Sequence, residues 1–171
     1  MERILLLNVG WMNAYKGVKG DPLKGGGDFP SRHGYGMEIL NFEPFYGHMY
    51  GFAKVPHNSI RIERLGAPSY AKHVDIILVI WVTKSRIVGW YRHATVYRML
   101  QEPPKSSHRK HKGGPIKHNV MSKEGSEHLL DPDDRLFEIP RSRMKKGAMG
   151  RYLWYIDEYT NTRFRKKLLH M

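Results

Sequence analysis

Trp11, Trp81 and Trp90 are the side chains in this sequence best suited to stack on a planar group, and Asn13, Tyr15 and Asn41 offer the polar edges that could orient one. Base-on-aromatic stacking returns ~1–3 kcal/mol per base, so two indole walls hold a single base with useful affinity. Trp11 follows an apolar run directly and stands in a polar loop, where core packing does not demand an indole. Trp81 belongs to an apolar segment, so plain packing competes with a wall role. Trp90 follows Gly89 and meets Trp81 only if the strand register allows it. Asn13 and Tyr15 are also explained by loop polarity. Asn41 stands among Ile39, Leu40 and Phe42, so its amide requires a partner if buried, either a base edge or backbone.

The elements that must position these residues read as strands. The run 75–82 is apolar on both faces and predicts a central, doubly covered strand. A turn leads into Ile87-Val88-Gly89-Trp90-Tyr91-Arg92, continued by 95–100, and the pair reads as a hairpin. A glycine inside a strand marks a bulge or a close approach to the backbone. Residues 3–9 predict a first strand and 11–30 a loop. Alternation over 36–43, 46–55 and 60–65 predicts three further strands. Pro103 and Pro104 end the hairpin. Residues 105–125 read as a basic flexible linker and 126–171 as a basic extension closing in a helix, with 1–104 as the folded domain. The expected class is α+β, mainly β: a twisted barrel with short flanking helices.

Charge narrows the partner. The chain has 171 residues, 29 Lys and Arg against 16 Asp and Glu, and a net charge of +13. The excess is spread along the chain, +6 over residues 1–105 and +7 over 106–171. Such a balance favours a polyanion. Lys84, Arg86 and Arg92 on the hairpin are expected to meet nucleic-acid backbone. The same is expected of Arg109, Lys110 and Lys112 in one basic run and of Arg141, Arg143, Lys145 and Lys146 in another. Such contacts position a polyanion without reading its sequence.

Other chemistries find little support. There is no cysteine, hence no disulfide, thiolate zinc site or cysteine nucleophile. Gly25-Gly26-Gly27 is not followed by the Lys-Ser/Thr of a nucleotide-binding loop, and reads as a turn or as part of a pocket mouth. A metal-dependent nuclease built from Glu38, Glu63, Asp75 and the ten histidines is the rival from another class. His108-x-x-His111, however, falls in a segment read as flexible, where catalytic geometry is poorly held. No cofactor or metal is expected. The longest apolar run, 76–82, is far short of the ~20 residues that span a bilayer, and no signal segment is recognisable, so a cytoplasmic protein is expected.

The first strand ending in Asn8-Val9-Gly10-Trp11, and the apolar strand running into Ile87-Val88-Gly89-Trp90-Tyr91-Arg92, resemble the PUA-like superfamily, in particular its EVE and YTH-type members. Gly25-Gly26-Gly27, then Gly34-Tyr35-Gly36-Met37-Glu38 and Asn41-Phe42, are similar to N-terminal reader modules of HNH-type modification-dependent restriction endonucleases. The resemblance covers about residues 1–100. His108, His111, His118 and Asn119 do not reproduce an HNH arrangement, so the chain would be the reader and any nuclease a separate domain or subunit. What the resemblance implies is a modified, methylated base flipped from duplex DNA into an aromatic cage of Trp11 with Trp81 or Trp90. An RNA-binding PUA-like module is the alternative.

Overall fold

The computed structural model describes residues 2–141, 147–156 and 162–171. Its centre is three neighbouring strands, β1 (Arg3–Asn8), β3 (His73–Thr83) and β4 (Arg86–Gln101), with β2 (His48–Gly51) at one edge of the sheet. Strand β1 runs parallel to β3, with Leu5 opposite Val79 and Leu7 opposite Trp81. Strand β4 returns antiparallel through a two-residue turn. Lys84 and Ser85 both have positive φ there (48° and 62°), the backbone that matches the twist of a tight hairpin.

Side chains alternate across a strand, so this trio feeds two cores. Leu5, Leu7, Ile77, Val79, Trp81, Val88 and Tyr91 enter one face. Ile4, Leu6, Leu78, Ile80, Val82, Ile87 and Trp90 enter the other. The described residues add a ribbon of β5 (Lys110–His111) and β6 (Gly114–Pro115), then β7 (His118–Lys123), β8 (Glu127–Leu129) and β9 (Leu153–Ile156). The large sheet runs β2-β7-β4-β3-β1-β9, with β8 also pairing β4. Two short helices, α1 (Asp28–His33) and α2 (Thr162–Leu169), complete a mixed, mainly β architecture. Among the described residues no helix is long and apolar enough to cross a membrane.

Gly89 confirms the expectation of a close approach. A Cβ there would lie 2.4 Å from the His128 carbonyl oxygen and 2.9 Å from the Phe42 ring. What approaches is the protein's own strand β8. Gly51 is equally crowded, since a Cβ would fall 2.5 Å from the Trp81 ring.

Two expected strands are 3-10 turns instead, Met37–Leu40 and Ile62–Leu65. In the first, Glu38 and Ile39 are buried; in the second the buried residues, Ile62 and Leu65, stand three apart, which suits three residues per turn. Over so few positions that spacing overlaps with strand alternation. The segment read as a linker is also ordered differently. Residues 118–123 form inner strand β7 between β2 and β4, and 153–156 pair with β1.

Arg109 is a second correction. Expected to meet phosphate, it is 5% exposed, and its guanidinium donates to the carbonyls of Glu43 (2.8 Å), Leu40 (2.9 Å) and Tyr50 (2.9 Å). It holds a loop to strand β2. Each carbonyl stripped of a partner in a buried setting costs ~1–3 kcal/mol. Arg109→Ala is therefore expected to lower stability by about 3 kcal/mol, roughly 6–12 °C in thermal midpoint for a chain of this size. Calorimetry showing an unchanged midpoint would return Arg109 to the surface.

His118 lies nearby at the start of β7, edge-on to Tyr50 (4.9 Å) and Tyr97 (5.8 Å), with no hydrogen-bond partner for Nδ1. Burial, assisted by the Arg109 charge, pushes its pKa down to about 4 from 6.5. Between those values the unfolded chain binds a proton that the folded one refuses. Stability should thus be level above pH 6.5 on account of this group, and fall by about 3 kcal/mol as pH drops toward 4. Urea midpoints measured across that range in the parent and in His118→Gln test this, and the variant is expected to lose most of the acid limb.

Candidate binding cleft

Strand β1 ends at Asn8, and the chain beyond it borders a cleft of about 600 Å³. Val9 and Phe52 supply apolar wall, Gly26 to Pro30 and Tyr35 to Glu38 a second wall, and the β5–β6 ribbon and Arg151-Tyr152 the rest of the rim. The volume is within the range of small-molecule sites, about 300–1,000 Å³.

Glu38 is the buried titratable group of this lining, at 5% exposure. Burial raises the pKa of its carboxyl above the ordinary value, while the backbone N–H groups of Glu38 itself and of Gly10 pull it back in part. Among the described residues no cation forms an ion pair with it. Backbone crowds the carboxyl instead. A Cβ at Gly36 would lie 2.5 Å from Oε2, and one at Gly26 would lie 2.9 Å from Oε1. Side chains at these positions would push the carboxyl out of its seat.

Aromatic rings cluster at the mouth. Phe29 meets Tyr35 edge-on at 5.6 Å, and Tyr35 meets His111 of the ribbon at 4.3 Å. Lys112 Nζ stands 5.4 Å from the Tyr35 ring centre and donates to the His33 carbonyl at 3.0 Å. Phe29 is 47% exposed. Lys54 and Arg151 add exposed positive charge to the rim.

The expected aromatic cage is not assembled from the three indoles. Trp81 is fully buried and meets Tyr91 edge-on at 5.1 Å, with no partner for its indole N–H. Trp90 faces the opposite core and stacks on His128 at 4.5 Å. Trp11 lies over the Arg135 guanidinium at 4.6 Å and near Lys84 Nζ at 5.7 Å, and it is not part of the cleft lining. Strand alternation and the β3–β4 register separate Trp81 from Trp90, which sequence alone left undecided.

The side chains of Tyr15 and Asn41 act on backbone, while Asn13 is exposed. Asn13 and its neighbours Ala14 and Tyr15 donate their N–H groups to the Asp21 carboxylate at 2.7, 2.8 and 3.3 Å. The Tyr15 hydroxyl, its pKa raised by burial, donates to the Gly10 carbonyl at 2.6 Å. Asn41 pairs both ways with the Phe52 peptide, at 3.0 and 2.8 Å, and Asn119 does the same for Ala53. These residues fix Phe52, which lines the cleft, and Gly10, which follows Val9 of its lining. Arg135, not singled out from the sequence, holds the carbonyls of Leu130, Met12 and Asn13.

The expected backbone contacts scatter. Lys84 and Lys110 are exposed. Arg86 is near Glu138 (3.7 Å), and Arg92 reaches the Met171 carbonyl (3.4 Å). Lys112 is at the cleft mouth, and Arg141 adjoins it by donating to Asn8 Oδ1 (2.5 Å) and the Gly150 carbonyl (2.8 Å). Arg143, Lys145 and Lys146 lie outside the described residues. Among the described residues no group of three or more His, Asp or Glu is disposed to hold a metal. Glu63 pairs with Arg98, and Asp75 accepts from Thr95, far from any joint arrangement with Glu38. Tyr35 and Phe29 were missed as candidate site residues, and Glu38 was weighed only as part of a metal-dependent nuclease site. The signal was the run Gly34-Tyr35-Gly36-Met37-Glu38, where glycines flank a ring and precede an acid.

The chain matches no known family model, no curated protein and no solved structure.

Gly36 has extended backbone (φ −139°), and the nearest atoms an alanine Cβ there would meet are those of the carboxyl. Gly36→Ala is expected to cost about 1–3 kcal/mol by overpacking. In Glu38→Ala the same change should cost almost nothing. Thermal melts of the four proteins measure this coupling, and additive losses would place the carboxyl elsewhere.

Proposed function

We propose that this chain is a non-catalytic nucleic-acid reader of PUA-like (EVE/YTH-type) character that takes one base into the cleft beside Glu38. The partner favoured is duplex DNA with a methylated base, and the chain would serve as the specificity module of a modification-dependent restriction or defence system. The observation that carries this reading is a buried carboxyl, with aromatic rings and cations around it, in a chain of net charge +13. Extruding a base costs a few kcal/mol, which stacking and hydrogen bonds to the base edge offset. In this reading Tyr35, Phe29 and Tyr152 replace the indoles as the stacking faces. Lys54, Lys112 and Arg151 meet the phosphates beside the extruded nucleotide. Val9, Met37 and Phe52 offer apolar surface for a methyl group. Trp11 keeps a structural role over Arg135.

Fluorescence anisotropy on matched duplexes, with and without each common methylated base, tests the reading. Affinity for every duplex should fall steeply with salt, as phosphate contacts require. One methylated duplex should bind about tenfold or more tightly than its unmodified twin. Tyr152→Ala and Tyr35→Ala should each reduce that preference by ~1–3 kcal/mol. Trp11→Ala should lower the thermal midpoint and leave the preference intact. A flat salt response, or a preference that ignores both tyrosines and disappears with Trp11, would sink the cleft as the reading site. Tighter binding of the equivalent RNA would move the function to RNA.

A further inference from the structure

Resting on the nucleic-acid reading above, we propose that Glu38 determines specificity in the cleft by accepting a hydrogen bond from an exocyclic amino group, so that the base taken is an amino-bearing one (cytosine, adenine or guanine, with or without a methyl) and not thymine or uracil.

A carboxyl has two oxygens and about four acceptor positions. The N–H groups of Gly10 and Glu38 reach it from the backbone side. Among the described residues no lysine, arginine or histidine pairs with it, although the chain carries a large excess of cations. A buried acid with that little compensation is costly as a purely structural element. It is placed against a cleft whose mouth carries exposed and half-buried rings. Its acceptors on the cleft side therefore call for a donor brought by the ligand.

Among bases, an exocyclic amino group presents that donor, as in the pairing of Glu or Asp with the cytosine amino group. The carbonyl oxygen that thymine and uracil carry at the equivalent position faces the ionised carboxylate as a second acceptor. Sites built around a buried polar group reject a ligand that leaves it unpaired far more strongly than apolar pockets reject a size mismatch. A methyl on the amino nitrogen leaves one N–H and is compatible with the contact. A structural staple between Gly10 and the 3-10 turn is the competing role for Glu38. It predicts a stability loss on substitution with no change in base preference.

The test uses the whole chain and oligonucleotide duplexes identical except at one position, placed opposite an abasic site to equalise the cost of extrusion. That position carries cytosine, 5-methylcytosine, adenine, thymine, uracil or 2-pyrimidinone, which is cytosine without its amino group. The amino-bearing bases are expected to bind tenfold or more tightly than thymine and uracil. The 2-pyrimidinone duplex should lose the same factor relative to cytosine. Glu38→Met, of similar length without oxygens, should bring the duplexes with unmethylated cytosine, adenine, thymine, uracil and 2-pyrimidinone to within about threefold of each other while salt-dependent binding remains. Equal binding of cytosine and 2-pyrimidinone by the parent chain overturns the inference, as does retained preference in Glu38→Met. If that variant fails to fold, the 2-pyrimidinone comparison on the parent decides by itself. Absence of salt-sensitive binding to any duplex rejects the nucleic-acid reading itself, a result distinct from equal binding to all.

Discussion

Burial of β3 on both faces is the constraint on which the rest of the structure depends. Ile77 to Val82 are at most 1% exposed, held between parallel β1 and antiparallel β4. Their alternating side chains commit one set to each core, and a slip of one residue would exchange the two sets. The register also fixes where β1 ends. The N–H of Val9 still donates to the Val82 carbonyl at 2.8 Å, and the Asn8 N–H to Tyr152 at 2.9 Å. The chain then leaves the sheet at Gly10. The cleft opens at that departure, so the placing of Asn8 and Val9 in its lining is inherited from the buried central strands.

The walls are held by polar side chains that satisfy backbone at long sequence separation. Asn41 and Asn119 close on Phe52 and Ala53, and Arg109 ties strand β2 to the turn that carries Asn41. Tyr15 and Arg135 brace the loop after β1 from the other side. These bonds replace the ladder hydrogen bonds that irregular segments lack, and backbone groups buried without them would be destabilising. Residues that resemble ligand-reading groups in the sequence thus act one step back from the cleft, positioning the backbone that lines it.

The strand framework was legible because β1, β3 and β4 are long and continuously apolar. Gly89 was legible as a point of close approach because a glycine weakens such a run unless a neighbour needs the space its missing side chain leaves. The turns at 37–40 and 62–65 were not, since three residues of alternation fit either backbone. Strand β7 was hidden by its setting, following a Gly, Pro and Lys-rich stretch that suggested a linker. The arginines were least legible of all. Composition reports a cation's presence, and only the fold tells whether it faces solvent or, like Arg109 and Arg135, three carbonyls. The cage failed for a related reason. Which face an indole takes depends on register, and register between β3 and β4 shifts more than once along their length.

This division of the arginines bears on the cleft. Arg109, Arg135 and Arg165 are buried and donate to main-chain carbonyls, so part of the formal excess serves the fold and does not reach a partner. Glu38 is the reverse case, a buried acid without an ion pair among the described residues in a chain rich in cations. A carboxyl needed only for stability would be satisfied by any of the bases that the chain has in surplus. Burial raises its pKa and the two backbone donors offset that only in part, with no cation among the described residues to complete the compensation. In the proposed reading such a group answers to the ligand, because hydrogen-bond donors on the ligand would complete an arrangement that the protein leaves incomplete.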